Sequence, residues 1–227
     1  MKYLIIIILL FINISCKGQL YFGRLVQNEV IPSQKKVICF GNSLTFGANY
    51  LVNSPYSYPA QLSSSYARVM NYGVNGQTTI GLLGNYYSDI APQYRSDTLS
   101  IIVIWEIGNS IWVGWDIDST KNQIERLCSN AQATGYKVIL VTAPHRGFSG
   151  STPGGDNQTQ YNDKLDLVND WVRTNYTGFA DKIVNADLDS DINDFNNTTY
   201  RDADKIHYIA AGYTLIKDLI KQKIDEL

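Results

Sequence analysis

The chain has 227 residues, a formal net charge of −2 and 16 tyrosines. This length is sufficient for one domain with a large buried core, and a single progression of strand and helix patterns gives no reason to divide it. Because the sequence has no dense run of lysine or arginine, it excludes a nucleic-acid-binding surface and a polybasic membrane patch. A small neutral or weakly polar ligand is therefore the natural partner.

The first 16 residues have the pattern of an export signal. Lys2 precedes the apolar run Tyr3–Ile12, which is too short to cross a bilayer comfortably. The run leads into Ser15-Cys16, and a small residue followed by cysteine resembles a bacterial lipobox, in which the cysteine becomes the lipidated N-terminus. We expect export to the periplasm or cell envelope of a bacterium, with a lipid anchor on Cys16. Ordinary cleavage near Ser15 is the alternative.

The folded domain is predicted to occupy residues 36–227, because residues 17–35 have mixed polarity without a period and are typical of a tether. The domain opens with the apolar run Val37–Phe40, which predicts a buried strand. Gly41, Asn42 and Ser43 follow and indicate a tight turn. Ligands of open α/β sheets bind at the carboxyl ends of the strands, so Ser43 is a candidate nucleophile. A serine in an ordinary surface turn is the alternative interpretation.

Four more strand patterns alternate with helix patterns through the rest of the chain, which predicts an α/β fold. The predicted strands are Arg68–Val74, Leu99–Trp105, Lys137–Thr142 and Lys182–Asp187. The predicted helices are Tyr58–Ser65, Thr79–Tyr94, Asp116–Ala133, Gln158–Tyr176 and a closing amphipathic helix from Ile209. The third strand, Leu99–Trp105, is the most continuous apolar run, as expected at the centre of a parallel sheet.

The loop at residues 143–157 follows the fourth predicted strand and contains four glycines and two prolines. It is expected at the same edge of the sheet as Ser43, where it would form one wall of a substrate pocket. His145 in this loop is a secondary candidate for a catalytic histidine. No carboxylate accompanies it closely in the sequence, since Asp156 is eleven residues away.

Asp204 and His207 form the stronger candidate pair. A serine hydroxyl needs a base within hydrogen-bond reach, and that base needs a group to orient it. His207 supplies the imidazole, and Asp204, three residues earlier, can bind its other ring nitrogen. In the alternative interpretation, the aspartate caps the final helix and the histidine lies on its surface.

The stretches Gly41-Asn42-Ser43-Leu44 and Asp204-Lys205-Ile206-His207 together resemble the first and last blocks of the SGNH, or GDSL-type, hydrolases. Two further blocks lie between them in the expected order, so that the resemblance spans residues 36–226. It implies a three-layer α/β/α, flavodoxin-like fold with a five-stranded parallel sheet. It also implies a serine ester hydrolase that needs no cofactor, and the scattered His and Cys residues give no metal-ligand pattern.

The resemblance assigns Ser43, His207 and Asp204 to the catalytic triad. It further implies an oxyanion hole made by the backbone N–H groups of Ser43 and Gly76 and the side-chain amide of Asn109. Gly73 competes with Gly76, because the spacing from the second predicted strand is ambiguous.

Three positions depart from the family pattern. Asn42 stands where the family has aspartate, and Glu106 and Ser110 replace a glycine and an aspartate in the block that contains Asn109. The amide of Asn42 can make similar turn hydrogen bonds without the charge, which predicts a modified turn. The two changes around Asn109 keep its amide but alter the residues beside it.

These observations predict an exported esterase or acylhydrolase that cleaves carboxylic esters through an acyl-enzyme. Export and the many tyrosines favour short acyl groups, such as acetyl, on carbohydrates. The alternatives are an acylhydrolase of the lipase, lysophospholipase or thioesterase kind, and a catalytically impaired carbohydrate-binding surface protein on the same scaffold. The expected partner is a small-molecule or glycan ester, with no nucleic acid and with membrane contact only through a lipid anchor.

Overall fold

The computed structural model describes residues 35–47 and 55–227, which contain one sheet of five parallel strands in the order β2-β1-β3-β4-β5. The strands are β1 (Lys35–Gly41), β2 (Arg68–Gly73), β3 (Leu99–Trp105), β4 (Lys137–Val141) and β5 (Lys182–Val184). The predicted central strand is confirmed, since β3 pairs with β1 on one side and β4 on the other. The predicted Cys16 anchor and residues 17–34 of the predicted tether lie outside the described residues, whereas Lys35, assigned to the tether, is the first residue of β1.

The helices connect these strands and cover both faces of the sheet. They are α1 (Ser43–Phe46), α2 (Tyr58–Leu62), α3 (Thr79–Asn85), α4 (Gly108–Trp112), α5 (Ile117–Thr134), α6 (Gln158–Asn175), α7 (Ser190–Asn193) and α8 (Ala210–Asp225). The chain continues from α3 through a π-helical segment, Tyr86–Ile90, and a 3₁₀ turn, Ala91–Gln93. None of the helices in the described part of the chain is long and apolar enough to cross a membrane.

Alternate side chains of the central strands enter two separate cores. Ile102 and Ile104 of β3 pack with residues of α3, α5 and α6 on one face. Ile101 and Val103 pack with residues of α2 and α8 on the other face. All four side chains are buried, because a parallel sheet covered on both faces has no solvent-facing side. The three-layer α/β/α architecture predicted from the sequence is confirmed.

Polar side chains and glycines fix the helix ends as the sequence patterns predict. Asp116 is the N-cap of α5, its side chain accepting the Ser119 N–H, and Gly135 ends the helix in the left-handed conformation, with φ of 111°. Asn157 and Gln160 form a reciprocal capping box at the start of α6. These ends agree with the predicted helices to within one residue.

The structure differs from the predicted elements in the length of α3, the end of β5 and three short helices. The predicted helix Thr79–Tyr94 is α-helical only to Asn85, and π-helical and 3₁₀ segments follow it. β5 ends at Val184 rather than Asp187, because the chain turns into a 3₁₀ segment at Ala186–Leu188. The short helices α1, α4 and α7 replace predicted loops. Helices of four or five residues carry too little periodicity to be recognised in a sequence, and here tertiary contacts support them.

Candidate active site

Ser43 is the first residue of α1, directly after the carboxyl end of β1. Asn42 is the N-cap of this helix, and its side-chain Oδ1 accepts the Leu44 N–H at 2.9 Å. Its backbone carbonyl accepts the N–H groups of Thr45 and Phe46. Asn42 therefore makes the capping bonds expected of a modified turn, and Gly47 ends the turn at a φ of 87°.

The side chains of Ser43, His207 and Asp204 form one continuous hydrogen-bonded chain. The Nε2 atom of His207 lies 2.9 Å from Ser43 Oγ, and its Nδ1 atom lies 2.6 Å from Asp204 Oδ2. The second oxygen of Asp204 accepts the backbone N–H groups of Ile206 and His207, both at 2.9 Å. Asp204 thus fixes both the turn that carries His207 and the orientation of the imidazole ring. The residue at the N-cap of α8 is Ile209, so Asp204 does not cap the final helix.

Asp204 is held in its ionised form. Partial burial alone would raise its pKa, but the hydrogen bonds from the His207 ring and from the backbone outweigh it and lower the pKa to about 2. Lys205, within the same turn, has a φ of 59°, in the left-handed region that non-glycine residues rarely occupy. The turn is therefore a specified conformation rather than an extension of the final helix.

The two candidate glycines, Gly73 at the end of β2 and Gly76 beyond it, have different environments. The N–H of Gly73 already donates to Asn71 Oδ1 at 2.9 Å. A Cβ atom on Gly73 would lie 2.1 Å from the backbone nitrogen of Phe46, so this glycine is needed for the close approach of α1 to β2. Gly76 lies beyond the strand in the turn before α3, with a φ of 73° and open space where a Cβ would be.

The side chain of Asn109 lies at the start of α4 with its amide orientation fixed by two contacts. Its Oδ1 accepts a hydrogen bond from Arg146 Nη1 at 2.9 Å, and its Nδ2 donates to the Gln77 carbonyl at 3.1 Å. One hydrogen of Nδ2 remains to be donated elsewhere. The Gln77 contact also joins α4 to the turn that contains Gly76.

Sequence analysis did not identify the role of Arg146. It is 5% exposed and lies across Gly108, where a Cβ atom would come within 2.5 Å of Arg146 Nη2. The carboxylate of Glu106, 1% exposed, lies near this guanidinium. Burial raises the pKa of Glu106, and the charge of Arg146 lowers it. A buried arginine 37 residues from its amide partner leaves no local sequence signal.

His145 has a carboxylate partner in the fold, although none lies close to it in the sequence. His145 Nε2 lies 2.8 Å from Asp166 Oδ1, a carboxylate that α6 brings to the loop. Asp156, the nearest acid considered from the sequence, instead binds Lys164 at 2.7 Å. Ser43 Oγ contacts His207, so that His145 belongs to a separate hydrogen-bonded pair.

The loop at residues 143–157 contacts both sides of this site. Gly147 donates its N–H to the Lys205 carbonyl at 3.2 Å, between Asp204 and His207 in the chain. Gly154 donates its N–H to the Trp112 carbonyl of α4 at 3.3 Å. The loop therefore lies beside the site, at the edge of the sheet where a pocket wall was expected.

The remaining candidates concern cysteines and metals. Cys39 and Cys128 are free thiols buried in opposite cores. Burial raises the pKa of Cys39 to about 12, which keeps it protonated and unreactive. Within residues 35–47 and 55–227, no group of three or more His, Cys, Asp or Glu side chains is arranged to hold a metal ion.

Several solved structures share this fold. A GDSL-like lipase from Bacteroides thetaiotaomicron is 20% identical, with a TM-score of 0.62 over 85% of this chain and 89% of that one. A psychrotrophic esterase from Pseudoalteromonas, inhibited by monoethylphosphonate, is 14% identical, with a TM-score of 0.62 over 86% and 98%. An acetylxylan esterase from Geobacillus stearothermophilus is 17% identical, with a TM-score of 0.59 over 86% and 95%.

No curated protein sequence matches this chain. The model of the GDSL-like lipase/acylhydrolase family matches residues 39–215, which include Ser43, Gly76, Asn109, Asp204 and His207. This match covers most of the chain and agrees with the fold of the solved structures. The chain therefore belongs to the GDSL-like lipase/acylhydrolase family and is an ester hydrolase.

Proposed function

We propose that this protein is an exported serine esterase that cleaves carboxylic esters through a covalent acyl-enzyme. The observation that carries the mechanism is the chain of hydrogen bonds Ser43–His207–Asp204, at 2.9 and 2.6 Å. His207 takes the proton of Ser43 as the hydroxyl attacks the ester carbonyl and returns it to the leaving alcohol. Asp204, with its lowered pKa, holds the imidazole tautomer and stabilises the imidazolium.

The developing oxyanion would receive three hydrogen bonds. Ser43 is the first residue of α1, and N–H groups at this position have no acceptor inside their own helix. Gly76 is favoured over Gly73 as the second donor because the Gly73 N–H is already bonded to Asn71. Asn109 would supply the third through the second hydrogen of its Nδ2, in the orientation that Arg146 imposes.

Labelling with a fluorophosphonate tests the nucleophile. The reagent should modify the wild-type protein at Ser43 and leave Ser43→Ala unlabelled, and His207→Ala should label very slowly because the hydroxyl has lost its base. His145→Ala is the matched control, since His145 pairs with Asp166 rather than with Ser43. Labelling of Ser43→Ala, or equal damage from the two histidine variants, would contradict the assignment. No labelling of the wild type would favour a binding protein on the same scaffold.

The substrate class is proposed as short acyl esters, such as acetyl groups, on carbohydrates. One support is a solved structure of the same fold named as an acetylxylan esterase. Another is the partly exposed aromatic pair Trp112 and Phe148, with ring centroids 4.8 Å apart. Trp112 is the last residue of α4, the helix that carries Asn109. Aromatic rings of this kind can stack on sugars. A panel of acetylated oligosaccharides against simple acetate esters tests this, and a preference for the simple esters would argue against it.

We also propose that the mature protein is an exported lipoprotein that begins at Cys16, because the apolar run of the leader ends directly before Ser15-Cys16. Mass spectrometry of the mature N-terminus should find a diacylglyceryl-modified Cys16. Cys16→Ser should release the protein from the membrane fraction. An unmodified N-terminal peptide that starts after Cys16 would contradict the lipid anchor.

A further inference from the structure

The Glu106 carboxylate is the most connected buried side chain beside the site. Its Oε2 accepts the Asn42 Nδ2 at 3.0 Å and the Asn109 backbone N–H at 3.1 Å. Its Oε1 accepts the backbone N–H and the hydroxyl of Ser110, both at 2.9 Å. Three of these four partners are N–H donors, which can bind only an acceptor, so the ionised carboxylate satisfies the whole set.

This network joins the three segments that carry the proposed oxyanion donors: the turn that contains Ser43, the start of α4 with Asn109, and the turn with Gly76 before α3. Asn42 precedes Ser43, and Asn109 contributes both the bonded backbone N–H and the side-chain donor. Ser110 extends the network to the third segment, because its Oγ accepts the Thr79 N–H at 3.0 Å and lies 2.9 Å from Thr79 Oγ1. Thr79 begins α3, three residues after Gly76.

The amide of Asn42 is matched to this carboxylate. Its Oδ1 must face the Leu44 N–H, an obligatory donor, and this directs Nδ2 toward Glu106. An aspartate at position 42 would keep the helix cap but place a second oxygen about where Nδ2 now lies, 3.0 Å from Glu106 Oε2. Two carboxylates at such a distance cannot both remain ionised, so they would share a proton.

The charges around Glu106 come from a few elements. Arg146, in the loop after β4, is a positive charge near it, and Tyr161 of α6 is a titratable group that interacts with it. Burial raises the pKa of Glu106, while Arg146 and the hydrogen bonds from Ser110 and Asn109 lower it. A second carboxylate would compete with Glu106 for this limited stabilisation.

We propose that Glu106 is a positioning residue whose carboxylate holds the three oxyanion-donor segments in register, and that Asn42 is an amide because Glu106 occupies the adjacent position. This inference rests on the proposed esterase function. Asn42, Glu106 and Ser110 belong to one network, in which Glu106 contacts both of the others.

A double-mutant cycle tests the pairing. Asn42→Asp should lower kcat roughly 10- to 100-fold with little change in KM. Its activity should fall as the pH rises above neutral, because loss of the shared proton leaves two repelling carboxylates, whereas the wild type should show no such fall. Glu106→Gln should also lower kcat, since the carboxamide nitrogen must face at least one N–H donor.

The double variant Asn42→Asp/Glu106→Gln reverses the polarity of the contact, because the new amide at position 106 can donate to the new carboxylate at position 42. It should be at least tenfold more active than the product of the two single effects predicts, and it should lack the alkaline decline. Glu125→Gln and Asn122→Asp, on the outer side of α5, are the matched controls and should match the wild type. Thermal unfolding of each variant checks that the fold is retained, and the fluorophosphonate labelling rate should follow kcat.

Two results separate failure of this inference from failure of the proposed function. A wild-type protein that neither hydrolyses esters nor labels at Ser43 would overturn both. An active wild type whose two single effects simply multiply, or an Asn42→Asp variant within twofold of wild type and without an alkaline decline, would overturn the role of Glu106 alone.

Discussion

At the scale of single residues, the candidate site combines polar groups whose hydrogen-bonding capacity is almost fully used. Asp204 is the clearest example, because its two oxygens accept the His207 ring and two backbone N–H groups. Such a carboxylate contributes both to the orientation of the base and to the stability of the turn. The first contribution is measured by kcat, and the second by the dependence of the free energy of unfolding on pH.

We expect Asp204→Asn to lower kcat by roughly 10⁴, the cost of losing the favoured imidazole tautomer in a serine triad. The same variant should lose less stability in acid than the wild type. Because folding lowers the pKa of Asp204 to about 2, its ionised form stabilises the folded state above the ordinary aspartate pKa, and this stabilisation disappears as the pH falls toward 2.

Urea unfolding at pH 7, 5 and 3 measures this difference. The free energy of unfolding of the wild type should fall more steeply between pH 5 and pH 3 than that of Asp204→Asn. Parallel curves for the two proteins would show that Asp204 has an ordinary pKa in the folded state. Asp170→Asn, on the solvent-facing side of α6, removes an aspartate outside the site and serves as the control.

Asn109→Ala tests the oxyanion donor. It should lower kcat by roughly 10²–10³ with little change in KM, because the amide would act mainly in the transition state. Asn122→Ala, on the outer side of α5, is the control for loss of an asparagine side chain. An unchanged kcat in Asn109→Ala would remove this amide from the proposed oxyanion hole.

At the scale of secondary-structure elements, the close packing of α1 against β2 positions the nucleophile. Gly73 permits this contact, since a Cβ atom there would lie 2.1 Å from the Phe46 nitrogen and 2.6 Å from the Phe46 Cα. Both are backbone atoms, which cannot rotate away. The position of Ser43 therefore depends on a glycine in a neighbouring strand.

We expect Gly73→Ala to destabilise the protein by about 1–3 kcal/mol and to lower activity further by displacing α1. Gly84→Ala is the matched control. Gly84 is exposed in α3 with open space around it, and alanine is favoured over glycine in helices by up to about 1 kcal/mol. Thermal unfolding and kcat measure the two effects. Equal stability of the two variants would show that α1 can move away from β2 at little cost.

At the scale of the whole molecule, the parallel sheet brings segments from distant parts of the chain to one edge. The loop at residues 143–157 borders the site there, and its exposed positions, residues 149–151 and 153–155, are serine, glycine and proline. Residues 48–54, which also bear on the predicted acyl preference, lie outside the described residues. These exposed positions offer little apolar surface to a long acyl chain.

Esters of short acids should therefore be better substrates than esters of long ones. With p-nitrophenyl esters of rising chain length, kcat/KM should be highest for acetate or butyrate and should fall at octanoate and beyond. The Ser43→Ala variant supplies the background rate for each ester. A kcat/KM for octanoate equal to or higher than that for acetate would contradict the prediction and favour a lipase-like acylhydrolase.

The sequence by itself determined the order of strands and helices, the central position of β3 and the residues of the candidate triad. These features depend on local patterns: apolar runs, helix caps, and the three-residue spacing that places Asp204 beside His207 on one turn. The missed short helices and the error at the end of β5 fell at the carboxyl edge, where contacts between segments outweigh local propensity.

Only the tertiary structure decided which distant side chains meet. His207 contacts Ser43 across 164 residues, Asn42 meets Glu106 across 64, and Arg146 reaches Asn109 across 37. The Asp166 partner of His145 comes from a helix face, and the closeness of Gly73 to Phe46 follows from the pairing of β1 with β2. Such contacts depend on the strand order and on the direction of each side chain, and neither leaves a periodic signal in the sequence.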